Sequence, residues 1–158
     1  LPLLASNAST KVPPKGPWGS EVTALVNLLK TAGADPIMRQ AQDEVFDENY
    51  FLPAINHAKD IGLTTALGLL VIYDTCIHSG PGRVGTHRAA FPQKSPKNGG
   101  DEKEWIKAYL NARRVWLLAN SNPLVQKTVY RQDAILDLIK VDNWDLKFPF
   151  TCRGTKVC

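Results

Sequence analysis

Several things are scarce in this chain of 158 residues, and each scarcity excludes something. No apolar run is long enough to cross a bilayer: the longest, Leu63 to Ile77, stops short of a span and contains Asp74. A membrane partner is therefore not expected. The Lys and Arg residues are scattered rather than blocked, and no basic stripe is interleaved with aromatics, which argues against a nucleic-acid partner despite a net charge of +4. Histidines number only three, and the spacing of Cys76, His78 and His87 is wrong for a metal, so no metal and no cofactor is expected. No internal repeat is visible, and few segments alternate strongly enough to be strands. Leu1-Pro2-Leu3-Leu4 has neither the basic flank nor the apolar length of a signal peptide. Without an initiating Met, the chain reads as though cut from something longer.

Cysteine is also scarce, and its count of three is odd. Cys152 and Cys158, six apart in a Gly- and Lys-containing tail, read as a small loop-closing disulfide, with Cys76 as a buried thiol inside an apolar run. The alternative pairs one cysteine with a segment or chain outside these residues. Asn7-Ala8-Ser9 has the form of a glycosylation sequon and points weakly to a secreted, extracellular protein.

What is present is a globular composition, 44% hydrophobic and 22% charged, sufficient for one domain with a real core. The proline- and glycine-rich stretch before Ser20 reads as an irregular leader (1–19), followed by a helical body (20–140) and an extended tail (141–158). Helical periodicity starts at Ser20, with Val22, Leu25, Val26, Leu28 and Leu29 as an apolar stripe that Gly33 ends. Asp35-Pro36 restarts it as cap and first turn, and the second helix runs towards Tyr50. Pro53 kinks that helix or opens another, closed by Gly62. Thr64 or Thr65 caps a central helix that is apolar nearly all round. The stretch from Ser79 to Gly100 reads as a flexible loop. A further helix follows, with Trp105, Ile106, Tyr109, Leu110, Trp116 and Leu117 as its buried face, and a last one from Pro123 to Ile139.

Asp74 stands alone on the most apolar helix. A carboxylate there must meet a cation or titrate upward, because an unpaired buried charge forfeits solvation worth several kcal/mol. Arg113 or Arg114 is the natural partner. The plain account is a structural ion pair, and the functional one a site. Asp43, Glu44, Asp47 and Glu48 place like charges at i,i+4, mildly unfavourable in a helix. They form either a solvated face or an acidic wall for a cationic ligand. Clustered carboxylates alone do not make a glycosidase, which needs two at a set separation across a cleft.

The run QAQDEVFDENYFLPAINHAKDIGLTTALGLLVIYDTCIHSGPG resembles the middle of the family 46 glycoside hydrolases, the chitosanases. The resemblance continues through Gly99 to Glu102 (GGDE), Tyr109 to Arg114 (YLNARR) and NWDLKFPF, and spans roughly residues 36 to 150. It implies a mainly α, lysozyme-like, two-lobed fold, here lacking part of the N-terminal lobe. It implies endo-hydrolysis of the β-1,4 links of chitosan with inversion, by a general-acid Glu and an Asp that activates water. Asp74 then matches an acid in a buried ionic network behind the catalytic Glu. Arg113 matches one arginine of that network, and Arg131 the second after a one-residue shift. Asp43, Asp47, His78 and Asp133 are the candidate substrate contacts. The family's catalytic pair precedes the region matched here, so no catalytic residue is assigned; Glu21 lies in the wrong context. Two expectations follow. One is the larger part of a secreted chitosanase whose catalytic segment is a cleaved piece or a second chain. The other is a non-catalytic relative that binds chitosan or glucosamine oligosaccharides, or another secreted partner.

Overall fold

A computed structural model describes residues 19–158, with side chains from Thr23 onward. The leader up to Trp18, with the Asn7 sequon, lies outside the described residues, and the helix starts one residue earlier than read, at Gly19. The chain divides into two compact units, the first ending at Phe46 and the second running Asp47–Cys158.

In the first unit, α1 (Gly19–Ala32) and α2 (Pro36–Phe46) are joined by a short turn. Asp35 caps α2, its carboxylate accepting from the Ile37 amide at 2.8 Å. Arg39 reaches back to the Gly33 carbonyl at 2.9 Å. The apolar stripe of α1 is a helical pattern that does not become core: Leu25, Leu28 and Leu29 are more than half exposed. Nor does α2 bury any residue. Amphipathicity makes a face available, but burial needs a complementary surface against it.

The second unit opens with a π-helical turn, Asp47–Phe51, ahead of α3 (Leu52–Ile61). Pro53, in the first turn of α3, has no amide hydrogen to donate, which favours a change of helical form over a continued α-helix. Gly62 ends α3 in the left-handed conformation (φ 86°), donating to the Ala58 and Lys59 carbonyls. A Cβ there would lie 2.6 Å from the Lys97 amide nitrogen, so the close approach of the 3-10 turn Pro96–Asn98 also needs glycine.

Thr65 caps α4 (Ala66–Ser79), its hydroxyl accepting from Gly68 N at 3.0 Å. Leu67, Val71, Ile72, Thr75 and Cys76 are wholly buried along it. Asp101 caps α6 (Glu102–Leu118) through Glu104 N at 2.8 Å. Trp105, Ile106, Tyr109, Leu110, Arg113 and Leu117 face inward, while Trp116, placed in the buried face by periodicity, is only half-buried. Trp105 and Tyr109 stack at 5.2 Å, and Phe91 meets both edge-on. Glu102 locks the start of α6 to the start of α4: its carboxylate accepts from the amides and hydroxyls of both Thr64 and Thr65 at 2.6–3.1 Å. Burial would raise the Glu102 pKa, but these hydrogen bonds outweigh it and hold the group below its ordinary value.

Three elements depart from the sequence reading. The supposed flexible loop after Ser79 contains α5 (Arg83–Arg88), which buries Val84 and His87. The last helix is broken into α7 (Pro123–Gln126), a 3-10 turn (Lys127–Val129) and α8 (Tyr130–Lys140). Thr128 donates its hydroxyl to the Val125 carbonyl at 2.6 Å, an acceptor three residues back, in a β-branched stretch of modest helix propensity. The tail is not simply extended. Trp144 is buried, its carbonyl accepting from Leu67 N at 2.9 Å, and a hairpin of β1 (Phe150–Cys152) and β2 (Thr155–Val157) follows. The hairpin turns through Arg153-Gly154, both at positive φ, as a two-residue connection prefers.

That hairpin corrects the disulfide expectation. Cys152 and Cys158 are both free. The register opposes Cys152 to Thr155, three residues short of Cys158. At about 3.4 Å per residue this carries Cys158 some 10 Å along the ladder, beyond the reach of a disulfide. Cys76 is free and buried, and burial raises its thiol pKa to about 11.

Candidate functional site

Asp74 lies in the C-terminal half of α4, where an apolar helix presents its carboxylate to α6 and α8. Arg113 Nη1 donates to Oδ2 at 2.5 Å, and Arg113 Nη2 reaches the Asp74 carbonyl at 3.4 Å. Arg131 Nη2 donates to Oδ1. Each carboxylate oxygen thus has its own arginine. Arg113 is fully buried, and the Asp74 and Arg131 side chains are 12% and 29% exposed. Burial pushes the Asp74 carboxyl up, but the Arg113 charge and the Arg131 hydrogen bond outweigh it and hold the pKa below the usual aspartate value. Arg131 moves the other way: burial disfavours its charge, and Asp74 more than restores it.

Two cations against one anion leave the cluster with one positive charge. The Nε atoms of Arg113 and Arg131 are buried without a partner among the described residues. Beside it, Tyr109 donates its hydroxyl to Thr75 Oγ1 at 3.2 Å, and Thr75 donates to the Val71 carbonyl at 2.9 Å, bracing α6 on α4. Burial lifts the Tyr109 pKa to about 12.

His78 sits one turn beyond Asp74, its Nδ1 3.1 Å from Ser79 Oγ. Burial lowers its pKa, as do Arg113 and Arg131, against the pull of Asp74. Asp133, on α8 two residues past Arg131, pairs with Arg114 and is half exposed. The consecutive arginines of α6 thus divide, Arg113 inward to Asp74 and Arg114 outward to Asp133. Asp43 is exposed on α2 in the first unit, whereas Asp47 belongs to the π turn of the second. Asp47 adds to the rise in the Tyr73 pKa that burial begins. The remaining acids of that group are exposed, and Glu44 accepts from Gln40 at 2.8 Å. No group of three or more metal-ligating side chains occurs among the described residues, and none of their helices is long and apolar enough to cross a membrane.

Sequence reasoning missed two side chains here. His87 is buried against α6, with no signal beyond a histidine in a Gly-rich stretch. Gln132 is wholly buried between Arg131 and Asp133 in sequence, with neither amide atom partnered among the described residues. A polar residue inside YRQD carries no mark that distinguishes it from a surface one.

The profile of glycosyl hydrolase family 46 matches residues 21–150. The chain is similar to a chitosanase of Bacillus subtilis, 30% identical over 148 residues, covering 87% of this chain and 53% of that protein. It is 33% identical over 125 residues to a chitosanase of a Streptomyces species, covering 75% and 44%. Among solved structures it is similar to a mutant Bacillus subtilis chitosanase complexed with 6 GlcN, with TM-score 0.74 and 30% identity over 85% of this chain and 60% of that one. A Gynuella sunshinyii chitosanase complexed with chitotetraose gives TM-score 0.75 and 29% identity, over 86% and 62%. The chain spans about half the length of the curated relatives it matches. The mainly helical fold, the profile match and these relatives make this chain a member of glycosyl hydrolase family 46.

Proposed function

We propose that this chain takes part in the endo-hydrolysis of β-1,4 glucosamine links in chitosan by an inverting acid–base mechanism, the catalytic carboxyl pair being supplied from outside residues 1–158. The observation that carries the reading is the Asp74 cluster: two arginines fixed on one aspartate, with one positive charge in excess. Such a cluster orients and tunes a neighbouring carboxyl group, which is what a general acid requires. Relatives named chitosanases, two of them with bound glucosamine oligomers, support chitosan as the substrate. Asp43, Asp47, His78 and Asp133 are proposed contacts for the cationic sugar, and the pieces that complete the site are a cleaved N-terminal segment or a second chain. Secretion belongs to the same reading, because a polymer has to be cut where it is met.

A second reading has its own support. Asp74, Glu102 and Asp133 are all committed to protein partners, as suits a non-catalytic oligosaccharide-binding protein. Three measurements separate them. Intact mass of the naturally produced protein without reduction should exceed 17.4 kDa on the first reading; 17.4 kDa with no partner removes it. Calorimetry and reducing-end release with glucosamine hexamer complete the test. Binding with turnover in the naturally produced form supports the enzyme, binding without turnover supports the second reading, and no binding overturns both.

A further inference from the structure

His87 is the one histidine the fold encloses. It is 2% exposed, and its Nε2 has no partner among the described residues. Its ring meets Trp116 edge-on at 5.2 Å and Tyr109 at 5.9 Å, two residues that flank Arg113 on α6. The Arg83 guanidinium lies 5.3 Å from the centre of the Trp116 ring, so a second cation borders the same aromatic wall.

We propose that His87 is an acid-sensitive positioning residue: neutral, it seats α5 on α6 beside Arg113, and protonated, it loosens that seat and with it the hold of Arg113 on Asp74. The charged and titratable surroundings give the direction. On its own helix are Arg83 and Arg88, the latter turned onto Phe91, where it donates to the Phe91 carbonyl. From α6 come Arg113 and the Tyr109 hydroxyl, which is given to Thr75. On α4, Tyr73 meets Phe51, Asp74 is engaged by two arginines, the Cys76 thiol stays protonated, and His78 pairs with Ser79. No carboxylate remains uncommitted among these groups to receive an imidazolium. Burial first, then Arg113 and Arg83, lower the His87 pKa to about 4. The unfolded chain binds that proton near pH 6.5, so stability is complete above 6.5 and drains as pH falls towards 4.

The test is the pH dependence of folding in the whole chain and in His87→Phe, which keeps an aromatic ring without the titration, with His87→Gln as a second neutral variant. Wild type should lose roughly 10 °C of melting temperature between pH 6.5 and 4, with a parallel change in tryptophan fluorescence. The His87 variants that fold at pH 7 should lose most of this step, keeping only what His78 contributes. The wild-type His87 resonance, followed by NMR, should titrate near 4, well below 6.5. A step of equal size in the variants, or a wild-type His87 that titrates near 6.5, would overturn the proposal. Should neither variant fold, the wild-type titration decides alone.

Discussion

Arg113 has no exposed surface, so its charge depends on Asp74 as much as Asp74 depends on it. Asp74→Asn would leave that guanidinium and the partly exposed Arg131 facing a neutral amide. Removing one member of a buried pair costs about 3–5 kcal/mol. Denaturant unfolding at pH 7 should show a loss of that order, and a wild-type midpoint would contradict the assignment. Asp133→Asn removes a pair whose partners are 37% and 54% exposed, and screening reduces its worth to less than about 1 kcal/mol. Two aspartates, each paired with one of two consecutive arginines, should therefore differ several-fold in stability effect. The identity of Asp74 as an acid needing a cation was legible in the sequence. Which of Arg113 and Arg114 would meet it depends on helical phase against a second helix, which no single segment encodes.

Among the elements, capping and glycine positions were the most legible signals. Thr65, Asp35 and Gly62 act locally, through hydrogen bonds within a few residues, and local chemistry is written in local sequence. The Glu102 clasp was not legible, because it joins α6 to residues 37 and 38 positions earlier. Glu102→Gln keeps the shape and loses the charge. With its carboxylate partly exposed, the expected cost is about 1 kcal/mol, read as faster amide exchange at Thr64 and Thr65. Gly100 sits under a tighter constraint. A Cβ there would fall 1.9 Å from the Lys94 carbonyl oxygen, a backbone atom that cannot swing aside. Gly100→Ala should destabilise by about 1–3 kcal/mol or more, measurable as a drop in melting temperature.

For the molecule as a whole, acid should act in two windows. The first, below pH 6.5 and down to 4, belongs chiefly to His87, neutral when folded and charged when not, with His78, also held below its ordinary value, adding to it. The second belongs to Asp74. Its folded pKa lies below 3.8, so its contribution is full above that value and drains as pH falls through the lower one. Stability measured against pH should show the second loss in wild type and lack it in Asp74→Asn, whose cost is already incurred at neutral pH.

The sequence by itself determined the helical class, most helix starts and stops, the inward face of α6, and the motif set that marks family 46. These follow from periodicity, capping and residue order, all of which act within one segment. Only the tertiary structure decided the rest. It set which apolar stripes found a surface, so that α4 and α6 became core while Leu25, Leu28 and Leu29 stayed exposed. It parted Cys152 from Cys158 by the hairpin register, and it enclosed His87 beside Arg113. Each of these depends on a second surface arriving from elsewhere in the chain, and side-chain pattern alone does not specify which surface that is.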